Sequence, residues 1–394
     1  MTKLPKRLCP ICLRREVEVL HIAKFLLPLG HPLADGYEVV TCLQCGFVYA
    51  DSQVAQADYD YFYANYSKYE DAKTGTGGVE NPFDWKRQQQ TAAQVTRFLS
   101  SCGSRILDIG CANGGLLQAL SDLGYNNLCG VDPSPICVVN TRRLGIEAHV
   151  GSLFQPFDNG LFDCIILSHT LEHILDLRES IKWVGERLNS GGVIYLETPD
   201  AARYVDFIYA PFQEFNTEHI NHFSSLCLRN LMSQFNFSQL EGGPKTLFSG
   251  PEVFYPAIFG FWGKDKEKQP SLVKDEHLGK SISAYIQASM QIQNKINLRL
   301  EEVLSVSPSV IVWGIGQMAI KLLADSPLAH ADILAFVDNN PIHEGKLLRG
   351  IPIIRPDKLQ NRKAPIVIAT LLHHRSIAEQ ISQMGLENRL IFLN

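Results

Sequence analysis

Residues 105–115 read RILDIGCANGG, and Asp132, in LCGVDPS, follows Gly110 by 22 residues. Ile106 and Leu107 open an apolar run that predicts a buried strand. The run ends in Asp108, passes through a turn containing Gly110 and Gly114, and enters an apolar helix at Leu116 and Leu117. A second short strand over 128–131 ends in Asp132. Glycine lets backbone approach a ligand closely, and an acid at the tip of the next strand can hold both hydroxyls of a ribose. The layout suits an adenosine-bearing cofactor held by Asp108, Gly110, Gly114 and Asp132.

A second chemistry is carried by cysteine. Cys9-Pro-Ile-Cys12 and Cys42-Leu-Gln-Cys45 are two Cys-x-x-Cys pairs separated by 29 residues. Each pair presents two thiolates from one tight turn, and two turns complete a tetrahedron around zinc. Gly46 suits a knuckle in which backbone curls round the sulfurs. Four cysteine ligands leave no open position, so the metal is expected to support folding. His21 and His31 lie between the pairs and are not expected as ligands. Cys102, Cys111, Cys129, Cys137, Cys164 and Cys227 are scattered beside apolar residues and read as buried free thiols.

A third set could move protons. The apolar run CIILSHTLEHILD reaches Ser168-His169 and continues as Thr170-Leu171-Glu172-His173, beside the place where a ligand of the glycine loop would sit. LETPD (196–200) opens toward the same pocket. Glu218-His219-Ile220-Asn221-His222-Phe223-Ser224 packs two histidines and a carboxylate into five residues, an acid/base cluster. A metal site built from His219 and His222 is not expected, since no second carboxylate stands at ligand spacing.

The elements that must position these groups alternate. Strands are expected near 105–109, 128–132, 147–150, 163–168 and 192–198, with helices near 115–123, 134–144 and 175–189, preceded by a helix over 85–99. Such alternation specifies a doubly wound, mainly parallel α/β sheet with ligands at the carboxyl ends of the strands. A helix at 225–235 and strand-like segments near 237–241 and 246–250 follow. Apolar residues recurring from Ile282 to Val303 predict one long amphipathic helix. A second Rossmann-like opening comes at SVIVWGIGQMAIKLL, with Gly314, Gly316 and Ala319, and a following strand ends in Asp338. By spacing alone this could bind NAD; the bland alternative keeps the glycine turn for packing or for another phosphate-bearing ligand.

Four segments result. Residues 1–75 form a zinc-binding module and a tyrosine-rich lid (DYDYFYANYSKYE); 76–255 hold the cofactor domain; 256–305 are a linker and the long helix; and 306–394 form a C-terminal Rossmann-like α/β domain. At 394 residues the chain should hold two or three domains. A net charge of −5 offers no basic field for nucleic acid or an anionic membrane. The longest apolar stretch, 254–262, is far short of the roughly 20 residues that cross a bilayer. These features suggest a soluble cytoplasmic protein acting on a small molecule.

The form LDIGCANGG resembles the first motif of Rossmann-like methyltransferases that bind S-adenosylmethionine, with Ala112 where glycine is common. Over its whole length the chain resembles the three-domain sugar C-methyltransferases, which methylate a carbon of nucleotide-linked keto-deoxysugars. The paired Cys-x-x-Cys module, GIGQMAIKLL, FVDNNPIHEGKLLRGIPI and the Gly250-Pro-Glu252-Val253-Phe-Tyr255 segment carry that resemblance. It implies His219 as the base that removes a proton beside a ketone, oriented by Glu218. It places His173 and a tyrosine, best matched by Tyr66 with Tyr63 and Tyr69 competing, near the developing oxyanion. It puts Ser168 near the methyl donor, and the adenine contact after the third strand at Ser152 and Leu153. Phe215-Asn216-Thr217 before Glu218 departs from the family's usual tyrosine-like or acidic setting and leaves oxygen or nitrogen acceptors open. A zinc-containing protein that only senses nucleotides is a further alternative.

Overall fold

The structure, a computed structural model, describes residues 2–66, 77–153, 160–250, 253–265, 267, 270–359 and 363–394. Tyr69 and Glu252, both singled out above, lie outside them. The chain divides into two compact units. Unit 1 comprises Met1–Glu18, Val40–Phe207 and Glu218–Ser281; unit 2 comprises Val19–Val39, Ile208–Thr217 and Ile282–Asn394.

Unit 1 opens on strands β1 (Thr2–Lys3), β2 (Val17–Lys24), β3 (Gly36–Cys42) and β4 (Val48–Asp51), where residues 19–39 of β2, β3 and their connection group with unit 2. Helices α1 (Gln56–Asn65) and α2 (Pro82–Val95) follow. Helix α2 starts where Asn81 accepts the amides of Phe83 and Asp84 and Pro82 fills the first turn, whose amide would have no helical partner. The remaining elements are β5 (Ile106–Ile109), α3 (Gly115–Asp122), β6 (Leu128–Asp132), α4 (Pro135–Arg143), β7 (Glu147–Val150), β8 (Phe162–Ser168), α5 (Leu177–Glu186), β9 (Leu188–Pro199), β10 (Asn221–His222), α6 (Ser225–Ser233), β11 (Phe237–Gly250) and β12 (Val253–Lys264).

Seven of these strands form one sheet in the order β11-β12-β9-β8-β5-β6-β7. β5 through β9 pair in parallel, whereas β12 is antiparallel to both β9 and β11. Both faces of the parallel strands are covered, which is why they read as continuous apolar runs. Ile106, Cys164, Ile166, Val193 and Tyr195 pack with Leu116, Leu117 and Leu120 of α3 and with Ala92 and Val95 of α2. Strand order reverses between β5 and β8, so the ligand crevice belongs at their carboxyl ends. The two short strands read near 237–241 and 246–250 are one strand, β11, carrying irregularities at Gln239/Glu241 and Phe248/Gly250. Residues 254–262, read above for their apolar length, lie within its antiparallel partner β12.

Unit 2 holds the long helix α7 (Leu278–Val306) from residue 282 onward, then β13 (Ser309–Trp313), α8 (Gln317–Asp325), β14 (Asp332–Val337), β15 (Leu347–Leu348), β16 (Ile351–Ile354), β17 (Ile366–Ile368), α9 (His374–Gln383) and β18 (Leu390–Ile391). Its sheet runs β15-β16-β14-β13-β17-β18, parallel except for the β15–β16 pair. Among the described residues no helix is long and apolar enough to cross a membrane.

Candidate active site

The glycine loop connects β5 to α3. Gly110 and Gly114 both adopt left-handed backbone (φ +77° and +76°), and a side chain on either would meet a threonine. A Cβ on Gly110 would lie 2.8 Å from Oγ1 of Thr170, and one on Gly114 would lie 2.8 Å from Oγ1 of Thr141. Thr170 donates to the carbonyl of Ile109 (2.9 Å), so the loop after β8 is stitched to the loop after β5. Ala112 also takes a left-handed conformation (φ +45°), which a methyl-bearing residue enters at a cost of about 1–2 kcal/mol. Gly77 seats beside it, and the carbonyl of Gly77 accepts the amide of Gly115 at 2.9 Å.

Asp132, at the end of β6, accepts the amide of Ala112 on Oδ2 and that of Ser134 on Oδ1, each at 2.9 Å. Each oxygen keeps a second lone pair for a ligand hydroxyl. Burial pushes its carboxyl up to about 6 against these two amides. Burial, and then the charge of Asp132, push Asp108 up to about 7. Ser152 follows β7 and donates to Asp60 of α1 (3.1 Å), while Leu153 is buried. Ser168 ends β8 and donates to Oε1 of Glu197 (3.4 Å).

The acid/base groups assemble beside this loop. Nδ1 of His173 lies 2.9 Å from the hydroxyl of Tyr63 and 3.1 Å from the carbonyl of Glu218. The rings of His173 and His219 meet edge to face with centroids 5.0 Å apart. One carboxylate oxygen of Glu172 and one ring nitrogen from each histidine all lie within 4.8 Å of one another. Burial pushes His173 down to about 4, with Glu172 opposing. The tyrosine against His173 is therefore Tyr63. Tyr66, the better match from sequence, lies at the end of α1 and stacks on Phe62. The contact described from Glu218 is made by its carbonyl to His173.

The sequence cluster around His219 divides. His222 belongs to β10, paired with Val48 of β4, and is fully buried near the hydroxyl of Tyr204 (3.4 Å). Burial pushes it down to about 3. It lies outside the group formed by Glu172, His173 and His219, a division that a five-residue window does not reveal.

Beneath His173 runs a buried ionic series that sequence reasoning missed. Glu172 and Glu197 are each 1 % exposed. Glu172 accepts from Thr198 (3.1 Å) and pairs with Nδ1 of His169 (3.2 Å). Glu197 accepts from Tyr195 (2.6 Å) and from Nζ of Lys245 (2.5 Å). Burial alone would raise both carboxyls; the bonds and charges of His169, with Lys245 at Glu197, outweigh it and hold Glu172 down to about 2 and Glu197 lower still. Both acids stand in quoted motifs, LEH and LETPD, and their places at strand ends were the available signal. Lys245 carried none.

Far from this pocket in sequence, the cysteine pairs converge. Cys9 and Cys45 Sγ are 3.5 Å apart, those of Cys12 and Cys42 are 3.4 Å apart, and all four lie within 4.8 Å of one another. Such a set fits the tetrahedral sulfur site of zinc, with bonds of about 2.3 Å. Gly46 (φ +76°) sits where any side chain would collide with the backbone of Asp275, whose amide donates to the carbonyl of Cys45 (3.0 Å). In unit 2 the carboxylate of Asp338 is engaged by the amides of Ile315 and Asn340, each at 2.7 Å. The geometry repeats that of Asp132.

Fold and loop together define a Rossmann-like domain with a crevice suited to a nucleoside. Residues 83–241 match the methyltransferase-domain family, and residues 306–392 match a family described as C2185-like, N-terminal. A ubiquinone biosynthesis O-methyltransferase of Azorhizobium caulinodans is 33% identical over 103 residues, 24% of this chain and 40% of the relative. A tRNA U34 carboxymethyltransferase of Campylobacter hominis is 32% identical over 108 residues, 26% of this chain and 38% of the relative. The chain thus spans about two fifths of the length of these curated relatives. Among solved structures, the N-methyltransferase NodS of Bradyrhizobium japonicum with S-adenosyl-L-homocysteine is 18% identical with a TM-score of 0.36, covering 48% of this chain and 90% of that one. A putative methyltransferase of Haloferax volcanii in complex with its Trm112 activator is 17% identical with a TM-score of 0.41, covering 52% and 97%.

Proposed function

We propose that this chain moves the methyl group of S-adenosylmethionine to an acceptor that it first deprotonates, and that the acceptor is a carbon beside the ketone of a nucleotide-linked deoxysugar. The observation that carries this reading is the His173–His219 pair, with Tyr63 on one side and Glu172 beneath, His173 being on a loop stitched to the carbonyl of Ile109. Methyl transfer to an already nucleophilic oxygen needs little beyond alignment. Two half-buried histidines over a buried carboxylate suit a substrate whose proton must be removed first.

In this reading His219 takes the proton from the sugar carbon. The enolate oxygen develops charge beside Tyr63, whose hydroxyl donates to it while His173 holds the phenol in place. The carbon then attacks the methyl carbon, the carbon–sulfur bond breaks, and S-adenosylhomocysteine leaves with the electron pair on sulfur. The proton stays on His219 until solvent removes it. Asp132 holds the ribose hydroxyls, and Asp108 and the Gly110–Gly114 turn accommodate the rest of the nucleoside. Cys9, Cys12, Cys42 and Cys45 would hold a zinc ion, which would serve to fix the N-terminal fold.

The test is incubation with methyl-labelled donor and deoxythymidine-linked 4-keto and 3-keto deoxysugars, with the product read by mass spectrometry and carbon NMR. Labelled methyl on carbon, with donor-independent exchange of one sugar proton for solvent deuterium, is expected. A second reading, transfer to oxygen, is favoured by the O-methyltransferases among the relatives; label on oxygen with no deuterium exchange selects it.

A further inference from the structure

His169 stands at the centre of the buried ionic series. Its Nδ1 lies 3.2 Å from Oε1 of Glu172 and its Nε2 lies 3.3 Å from Oε1 of Glu197, the second an ion-pair contact set off the axis of a hydrogen bond. Its amide donates to the carbonyl of Glu197 (2.7 Å), and its backbone is held in the left-handed region at φ +54°. A non-glycine residue there is strained and persists only where its surroundings over-determine it; such residues gather at working sites. Lys245 closes the far end of the series on Glu197, and at the near end Oε1 of Glu172 is 4.0 Å from Nε2 of His173.

We propose that His169 is a positioning residue, which, bridging the two buried carboxylates, fixes Glu172 beneath the His173–His219 pair. The proposal rests on the reading of that pair as the acceptor-activating groups. Two carboxylates this deep cannot both be ionised without cations between and beside them. His169 supplies the one between and Lys245 the one beside. Burial would push the imidazole down, but its bond to Glu172 and the charges of Glu172 and Glu197 on either side outweigh that and raise it. The groups facing it are Glu172 from the loop after β8, Glu197 from β9 and the ring of Tyr255 from β12, whose hydroxyl accepts from Arg87 of α2. Those facing His173 are Glu172, Glu218, His219 and Tyr63. A fixed negative charge on Glu172 stabilises an imidazolium formed above it, and a mobile or protonated Glu172 does not.

The test is nitrogen NMR of the histidine rings in the full-length, zinc-loaded chain, with resonances assigned by single His→Gln substitutions. In the unsubstituted chain, both ring nitrogens of His169 are expected to carry protons at neutral pH, with the second lost only above the ordinary midpoint of about 6.5. E172Q is expected to lower that midpoint by about one unit or more. H169Q is expected to move the ring-nitrogen signals of His173 and His219 while leaving those of His149 and His374 in place. A singly protonated His169 at neutral pH in the unsubstituted chain overturns the proposal, and this measurement needs no variant to fold. Signals of His173 and His219 that ignore both substitutions overturn it as well. Failure of methyl transfer with the expected NMR result would count against the proposed function and not against the clamp.

Discussion

The hydroxyl of Tyr63 lies 2.9 Å from Nδ1 of His173, although 110 residues separate them. The carbonyl of Glu218 reaches the same nitrogen at 3.1 Å. A carbonyl can only accept, so that contact places the proton on Nδ1 and the ring's lone pair on Nε2, on the side of Glu172. The fold has thus brought a helix before the methyltransferase domain, the loop after its fourth strand and the segment opening β10 to one imidazole.

Tyr63→Phe is expected to slow acceptor deprotonation by about 10²-fold, the usual loss for one oxyanion-side donor. Tyr66→Phe, changed on the ring that stacks on Phe62, is expected to stay within about threefold. Solvent-deuterium exchange into the keto-sugar measures both. A larger effect at Tyr66 than at Tyr63 assigns the role to Tyr66 instead.

Donor affinity should depend on pH through Asp132. Its carboxyl sits at about 6 in the ligand-free protein, and only the ionised form accepts both ribose hydroxyls. Below that value donor must displace a proton, so affinity for S-adenosylhomocysteine is expected to fall about tenfold for each unit of further acidification, and to level off above it. Calorimetry across pH 5–8 checks the slope; a flat profile contradicts the assignment.

The glycine loop makes opposite predictions at neighbouring positions. Gly110→Ala must displace the Thr170 hydroxyl and adopt a left-handed turn, and is expected to destabilise by about 1–3 kcal/mol. Ala112→Gly relieves a left-handed alanine at the cost of extra unfolded-chain freedom, and is expected to be neutral to about 1 kcal/mol stabilising. Denaturant midpoints compare the two, and a destabilising Ala112→Gly contradicts the second expectation.

Much of the candidate cofactor crevice was legible because it is local. Strand, glycine turn, helix and acid lie within the stretch from Ile106 to Asp132, and each leaves its own trace in residue type. The paired cysteines were legible for the same reason. The acceptor side was not, because its partners meet by tertiary pairing. Nothing near Lys245 announces Glu197. Tyr63 and Tyr66 lie three residues apart on one helical turn, so spacing could not choose between them. Val253–Lys264 was not recognised as a strand because its buried runs, 256–258 and 260–262, lack alternation.

Metal analysis is expected to find one zinc per chain, lost with Cys9→Ser or Cys42→Ser together with a lower Tm. Asp275 joins this knuckle to the start of α7, since its amide holds Cys45 and its carboxylate caps the amides of His277 and Leu278. Asp275→Ala should therefore loosen zinc retention without removing a ligand. A second metal equivalent that disappears in His219→Ala would turn Glu172, His173 and His219 into a metal site and remove His219 as the base.

The central claim is that the crevice at Asp132 grips the nucleoside of S-adenosylmethionine. Its most direct test is calorimetric titration of the zinc-loaded chain with S-adenosylhomocysteine, beside the same titration of Asp132→Asn. One site per chain, weakened about 10- to 100-fold by the substitution, is predicted from the loss of a charge-assisted hydrogen bond. No binding heat with either the product or the donor, or an affinity that ignores Asp132→Asn, contradicts the account.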